Sequence, residues 1–238
     1  MKKYIKTIAH CFLLILITIV LEDCKKKTDN PPVSSDVWDI DKDGIPRFVD
    51  VNYIELAKIQ RISKFRSSVG HDYSDAFEHC RSMKHYFEPK STIDWALVKI
   101  YSPVTGKITR VEPEWAGTKI EIVSDDYPAF RLSIFHVNLS INFQVGEQVT
   151  KGEFLGTHIG VQTMSDISVI VNDPTRQGRM VSYFDVINDA IFSDYLNRGV
   201  ASRADMIITK STRDANPLTC NGDTFISSDT LANWVVLN

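Results

Sequence analysis

The chain has 238 residues, of which 43% are hydrophobic and 24% charged, with a formal net charge of −3. That length can bury a sizeable core in one or two domains. A weakly acidic balance with no basic stripe excludes a nucleic-acid partner held through its phosphates.

Lys2, Lys3 and Lys6 precede an apolar run from Ile8 to Leu21, and Cys24 follows. A basic start and an apolar stretch too short to span a bilayer comfortably read as a secretory signal over residues 1–23. Leu21-Glu22-Asp23-Cys24 resembles the end of a bacterial lipoprotein signal, although Glu22 and Asp23 stand where that pattern has small residues. The resemblance implies a lipidated Cys24, attachment to a membrane through the lipid, and a periplasmic or surface-exposed address in a bacterial envelope. A plain membrane anchor or an ordinary secreted protein are the other readings. Removal of residues 1–23 leaves a net charge of about −4. Residues 24–38, with Lys25-Lys26-Lys27 and Pro31-Pro32, read as a tether.

An acidic loop comes next, in a unit spanning 39–63. Asp39, Asp41, Asp43 and Asp50 occupy positions 1, 3, 5 and 12 of a calcium-loop spacing, with Gly44 at position 6. Alternate carboxylates around a glycine-permitted turn supply the hard oxygen ligands that calcium takes. The loop resembles the calcium repeats of thrombospondin type 3 and dockerin-like proteins, which implies a structural calcium ion; a solvated acidic linker is the alternative. A helix is expected from about Asn52 to Ser63, where Ile54, Ala57, Ile59 and Ile62 are spaced helically.

The centre reads as strands: Ala96–Tyr101, Gly106–Val111, Thr118–Val123, Phe130–Val137, Val145–Val149, Gly152–Ile159 and Ser165–Val171, with turn residues between them. Ser182 with Asp185 and Ser202 with Asp205 each have capping-box spacing, so one helix is expected from Ser182 to Gly199 and another from Ser202 to about Ala215, before Pro217. Trp234–Leu237 reads as a strand or a buried plug. With Cys11 in the signal and Cys24 acylated, Cys80 and Cys220 remain as an even pair. In an oxidising compartment they are expected to form a disulfide, two buried thiols being the other reading.

Ser102-Pro103-Val104-Thr105-Gly106 and Val145-Gly146-Glu147-Gln148-Val149-Thr150-Lys151-Gly152 form a matched pair, preceded by His71-x-x-x-Asp75. Over residues 66–171 this resembles the core of lysostaphin-type zinc endopeptidases, which cleave peptide cross-links of peptidoglycan. The resemblance implies zinc as cofactor, His71 and Asp75 as ligands, and His136 as the residue that polarises the substrate carbonyl. The family's second metal motif, His-x-His, is replaced by Asp166-Ile167-Ser168. Zinc in catalysis usually keeps three protein ligands and a water; His71 and Asp75 are two, and Asp166 or His158 would have to be the third. The same Gly/Val punctuation resembles biotinyl- and lipoyl-carrier domains, but no lysine stands at the Glu114–Gly117 turn.

The expectation is a mostly β, antiparallel sheet of the lysostaphin type over 64–181, with a helical extension over 182–238. Two functions fit: a degenerate, non-catalytic envelope lipoprotein that binds cell-wall peptide or a protein partner, and an active zinc endopeptidase with unusual ligands.

Overall fold

The computed structural model describes residues 35–238. The signal segment, the lipidation candidate Cys24 and the tether up to residue 34 lie outside the described residues. Ordered contacts begin inside the stretch read as tether: the Trp38 amide donates to the Asn172 carbonyl, and its ring packs edge-on against Tyr127 and Phe130.

The centre is an eleven-stranded antiparallel sheet. Its strands are β1 (Ile59–Ser63), β2 (His85–Pro89), β3 (Lys99–Tyr101), β4 (Gly106–Pro113), β5 (Thr118–Ser124), β6 (Phe130–Leu139), β7 (Gln148–Val149), β8 (Phe154–His158), β9 (Ser165–Asn172), β10 (Gln177–Val181) and, after a small hairpin, β13 (Trp234–Val236). That hairpin consists of β11 (Cys220–Asn221) and β12 (Thr224–Phe225). The spatial order is β13-β1-β2-β9-β6-β5-β4-β7; β10 also pairs with β9, and β8 lies between β3 and β6. The fold is mostly β with helices toward the C-terminus, as expected. Among the described residues no helix is long and apolar enough to cross a membrane.

Side chains alternate across a strand, so each strand of this sheet feeds two faces. One face is the apolar core: Ile120, Ile122, Leu132, Ile134, Ile167 and Val169 are fully buried, and Tyr183, Phe184 and Tyr195 cover them. The opposite face carries Glu121, Ser133, Phe135, Asp166 and Ser168, all buried as well. A buried polar face is unusual, because each such group must find a partner.

The helix expected over Asn52–Ser63 is not formed. Leu56–Lys58 makes a single 3-10 turn, and the next residues are β1. A register irregularity between Ile59 and Arg61 lets Ile59 and Ile62 both be buried, so a bulged strand of β-branched residues satisfies a three-residue spacing. The two long C-terminal helices are also broken. The first divides into α2 (Tyr183–Val186) and α3 (Asp189–Leu196), because Ile187 bridges to Val49 and Asn188 caps α3 through the Ile191 amide. The second becomes a 3-10 turn at Arg203–Met206 and a helix, Lys210–Ala215. Between them Ile207 runs extended beside Phe65, which donates to the Met206 carbonyl and accepts from the Ile208 amide. In both cases pairing with distant backbone outcompetes local helix propensity. The strand expected from Ala96 begins only at Lys99, after a 3-10 turn.

Cys80 and Cys220 form the expected disulfide, with Cα atoms 5.7 Å apart. It spans 140 residues and holds the β11–β12 hairpin against the loop before β2. The chain-entropy model assigns a loop of that size about 5 kcal/mol. The Cys80→Ser/Cys220→Ser variant should therefore unfold at markedly lower urea concentration than the oxidised protein. Reductant should lower the wild-type midpoint to the same value and leave the variant unchanged.

His85 in β2 is buried against the core. Its Nδ1 donates to the Ser63 carbonyl at 2.8 Å, and its Nε2 accepts from the Ser182 hydroxyl at 2.8 Å. Burial pushes its pKa down to about 4, against the opposing pull of the Ser63 carbonyl. The unfolded chain, with an ordinary histidine near 6.5, then binds the proton more tightly than the folded one. Stability from this residue is full above pH 6.5 and is lost as pH falls toward 4. In His85→Gln, unfolding free energy should decline less steeply across that window, by up to one proton, or about 1.4 kcal/mol per pH unit.

Candidate functional site

The polar face of the sheet opens into a cleft of about 530 Å³. Strand register aligns its floor. Asp166 of β9 stands opposite Phe135 of β6 on one side and Tyr86 of β2 on the other. Ser133 pairs with Ser168 one step along, and Glu121 of β5 pairs with Ser133.

His136 reaches this face through a bulge. Lys119 lies on β5 between pairs Thr118–Val137 and Ile120–Ile134, where β6 has both Phe135 and His136. Two residues opposite one constitute a β-bulge, which re-aims side chains. His136 has φ +60, a conformation sparsely populated outside glycine. Its amide donates to Glu114 Oε2 at 3.1 Å, and its Nδ1 donates to the Ala116 carbonyl at 2.8 Å. That bond keeps a proton on Nδ1 and turns Nε2 toward Asp166. Both acceptors belong to the β4–β5 hairpin tip. Gly117 there has φ +74, and a Cβ on it would lie 2.5 Å from Ile159 and 3.0 Å from the His136 backbone. Only glycine lets the tip sit this close. Trp115, at the same tip, is 76% exposed and meets the His136 ring edge-on, with centroids 5.6 Å apart.

At the floor lies an ion pair that the sequence did not announce. Lys84 Nζ is 3.0 Å from Asp166 Oδ1; the two side chains are 3% and 0% exposed. The ammonium also rests on the Phe135 ring at 3.5 Å and the Tyr73 ring at 4.2 Å from their centroids. His136 Nε2 is 3.6 Å from Asp166 Oδ2. The desolvated carboxylate is thus compensated by one fixed cation within an aromatic cage.

The structure does not bring His71 and Asp75 together as a ligand pair. His71 lines the cleft beside Gly70, its Nδ1 2.8 Å from the Asp72 carbonyl and 4.0 Å from Asp223 Oδ2 on the β11–β12 hairpin. Asp75 turns to a separate cleft, where its carboxylate accepts from the Phe77 and Met180 amides. Asp72 is the residue that organises this loop, accepting from the Cys80 and Arg81 amides and the Ser74 hydroxyl. Gly70 has φ +76, and a Cβ there would lie 2.2 Å from the Tyr86 hydroxyl oxygen. His158 is buried in β8; its Nδ1 accepts from the Gly160 amide and its ring meets Trp95.

Zinc does not fit the donors the sequence suggested. Asp75 is committed to backbone amides, and Asp166 to Lys84. Among the described residues, no three His, Cys, Asp or Glu side chains are grouped to hold a metal ion. The carboxylates of the acidic loop also face different partners. Asp39 caps the one-turn helix α1 (Ile40–Asp43) through the Lys42 amide, Asp41 pairs with Arg179 at 2.8 Å, and Asp50 pairs with Lys151 at 2.6 Å and accepts from Asn188.

No family model matches the chain, and no curated protein does. Solved structures with a similar fold do exist. A chain of the SpoIIQ-SpoIIIAH pore forming complex matches at 10% identity over 65% of this chain and 99% of its own, with a TM-score of 0.42. Csd3 of Helicobacter pylori matches at 15% identity over 64% of this chain and 39% of its own, with a TM-score of 0.44. The catalytic domain of lysostaphin from Staphylococcus simulans matches at 18% identity over 45% of this chain and 87% of its own, with a TM-score of 0.32.

Breaking a buried pair leaves an uncompensated charge and costs about 3–5 kcal/mol. Lys84→Met should lose that much in chemical denaturation. Lys84→Met/Asp166→Asn, which removes both charges, should recover most of it.

Proposed function

We propose that the chain is an envelope lipoprotein, anchored through Cys24, whose peptidase-like domain binds a peptide or protein partner in the Trp115 cleft without cleaving it. The observation that carries this reading is the Lys84–Asp166 pair. Catalysis of peptide hydrolysis by a zinc centre needs a metal that activates water or polarises the carbonyl. Here the buried carboxylate facing His136 already has a lysine as its counter-ion, and Asp75 is bonded to two backbone amides.

Binding remains well provided for. The cleft has an exposed tryptophan at its mouth, and a rigid floor. Exposed aromatic side chains beside a pocket are the residues that dominate association energies. Peptide of the cell wall, or an envelope protein presenting an extended segment, fits such a groove. The loop of Asp39, Asp41, Asp43 and Asp50 would stiffen the exit from the tether; calcium as its candidate ion would have to displace Arg179 from Asp41 and Lys151 from Asp50.

Two assays test this together. Purified peptidoglycan incubated with the protein and added zinc should release no new amino groups, and the protein should co-sediment with the wall or with an envelope partner. Trp115→Ala should weaken that association at least tenfold, the loss expected of an interfacial hot spot, with an unchanged thermal midpoint. Turnover of the wall by the wild-type protein would sink the proposal.

A further inference from the structure

The polar face of the sheet carries a second opening. Arg131 stands four residues before Phe135 on β6, roughly 13 Å along the strand from the floor of the Trp115 cleft. Strand register sets it between Val123 of β5 and Ile170 of β9. These three side chains, with Thr109 and Gln177, line a cavity of about 380 Å³. Asp36 also lines it, but is exposed and makes no ion pair among the described residues.

Arg131 is the cation of this cavity, and its charge is poorly matched. Its nearest carboxylate oxygen is Glu121 Oε2, 3.5 Å from Nε, beyond the range of a good charge-assisted hydrogen bond. The Glu121 side chain is 7% exposed and is shared among three cations, with Arg110 Nε at 3.6 Å and Lys119 Nζ at 3.9 Å. Arg110 and Lys119 have a second acid in Glu112, at 3.3 and 2.6 Å. Arg131 has no second acid among the described residues. Its Nε is buried without a hydrogen-bond acceptor, while the side chain as a whole is 41% exposed. Lys107, across Val123 in the same cross-strand row, also forms no ion pair among the described residues. A guanidinium presents five donors in a fixed fork, and that fork matches a carboxylate.

We infer that the Arg131 cavity is a second binding site, which takes a carboxylate side chain of an acidic protein segment. It goes beyond the reading of the Trp115 cleft and does not rest on what binds there. Charge complementarity selects the occupant: Arg131 and Lys107 are the uncommitted charges of this row, and both are positive. Glu121, close behind Arg131, favours a singly charged carboxylate over a phosphate, because repulsion from a buried acid grows with the charge of the guest. Gln177, whose side-chain amide makes no hydrogen bond among the described residues, can donate to the same ligand.

The test follows the purified full-length chain, labelled with nitrogen-15, by NMR. The probe is a short synthetic peptide with three consecutive glutamates; a glutamine counterpart and a phosphoserine counterpart are the controls. The glutamate peptide should shift the Arg131 Nε–H signal and the backbone amides of Thr109 and Gln177 saturably, and added salt should weaken it. The glutamine peptide should shift none of them. Arg131→Gln should weaken binding at least tenfold, the effect of losing charge-assisted hydrogen bonds. Arg131→Lys keeps the charge and the stem but not the fork; it should also bind more weakly than wild type, and it serves if Arg131→Gln does not fold. An Arg131 signal that stays put at millimolar peptide would overturn the inference. So would equal shifts from the glutamine peptide, tighter binding of the phosphoserine peptide, or undiminished binding by a folded Arg131→Gln. A silent Arg131 signal is also what an acidic residue of the chain's own tether, already seated in the cavity, would give. Trp115→Ala should leave the titration unchanged, so failure here and failure of partner binding at the Trp115 cleft are read apart.

Discussion

A carboxylate with no solvent at all must be neutralised, and the neutralisation of Asp166 organises this face of the molecule. Lys84 reaches it from the loop just before β2, and that loop can approach only because Gly70 leaves room for Tyr86. Phe135 and Tyr73 close around the ammonium from β6 and from the loop of Asp72. Remove the charge on either partner, and the remaining one is stranded in a low-dielectric setting. Tyr73 and Tyr86 answer to the same centre, since burial first and the Asp166 charge among the further causes hold their hydroxyls protonated, above the ordinary tyrosine range.

The walls of the cleft come from parts of the chain far apart in sequence. The β4–β5 hairpin brings Glu114 and Trp115, the bulge in β6 brings His136, and the disulfide-held C-terminal hairpin brings Asp223 beside His71. Each element is fixed by a separate device: a glycine with positive φ, an extra strand residue, a covalent bond. Together these devices preform the cleft, and a preformed surface loses little entropy on binding. The hairpin also explains why a residue with a strained backbone, His136, persists: two hydrogen bonds at its tip hold it.

The same sheet could in principle serve hydrolysis or recognition, since a fold does not dictate a function. What differs is charge placement. A metal centre needs convergent, uncommitted donors; this face offers one carboxylate already matched to an ammonium and one imidazole held at the edge. The aspartate suggested by the His-x-x-x-Asp spacing is spent on the Phe77 and Met180 amides, a task of loop architecture.

The sequence by itself determined the local matters. Alternating β-branched segments gave the strands from Gly106 to Val171, because a period of two is readable without knowing the neighbours. Two cysteines left unassigned in a chain read as exported pointed to their own bond. Asp166-Ile167-Ser168 stood out as a departure from the pattern of the family it resembles, and its Asp166 and Ser168 proved to lie on the buried polar face of the sheet. The tertiary structure decided the rest. Ile59 and Ile62 belong to a bulged strand, Ile187 and Ile207 interrupt helices to pair with distant backbone, and Asp75, read as a metal ligand, accepts from the Phe77 and Met180 amides instead. Lys84 had no signal at all, since a lone lysine between Met83 and His85 looks like surface. Its meaning depends on strand register, which places Asp166, Phe135 and Tyr86 side by side across residues 80 positions apart, and no spacing along the chain records that.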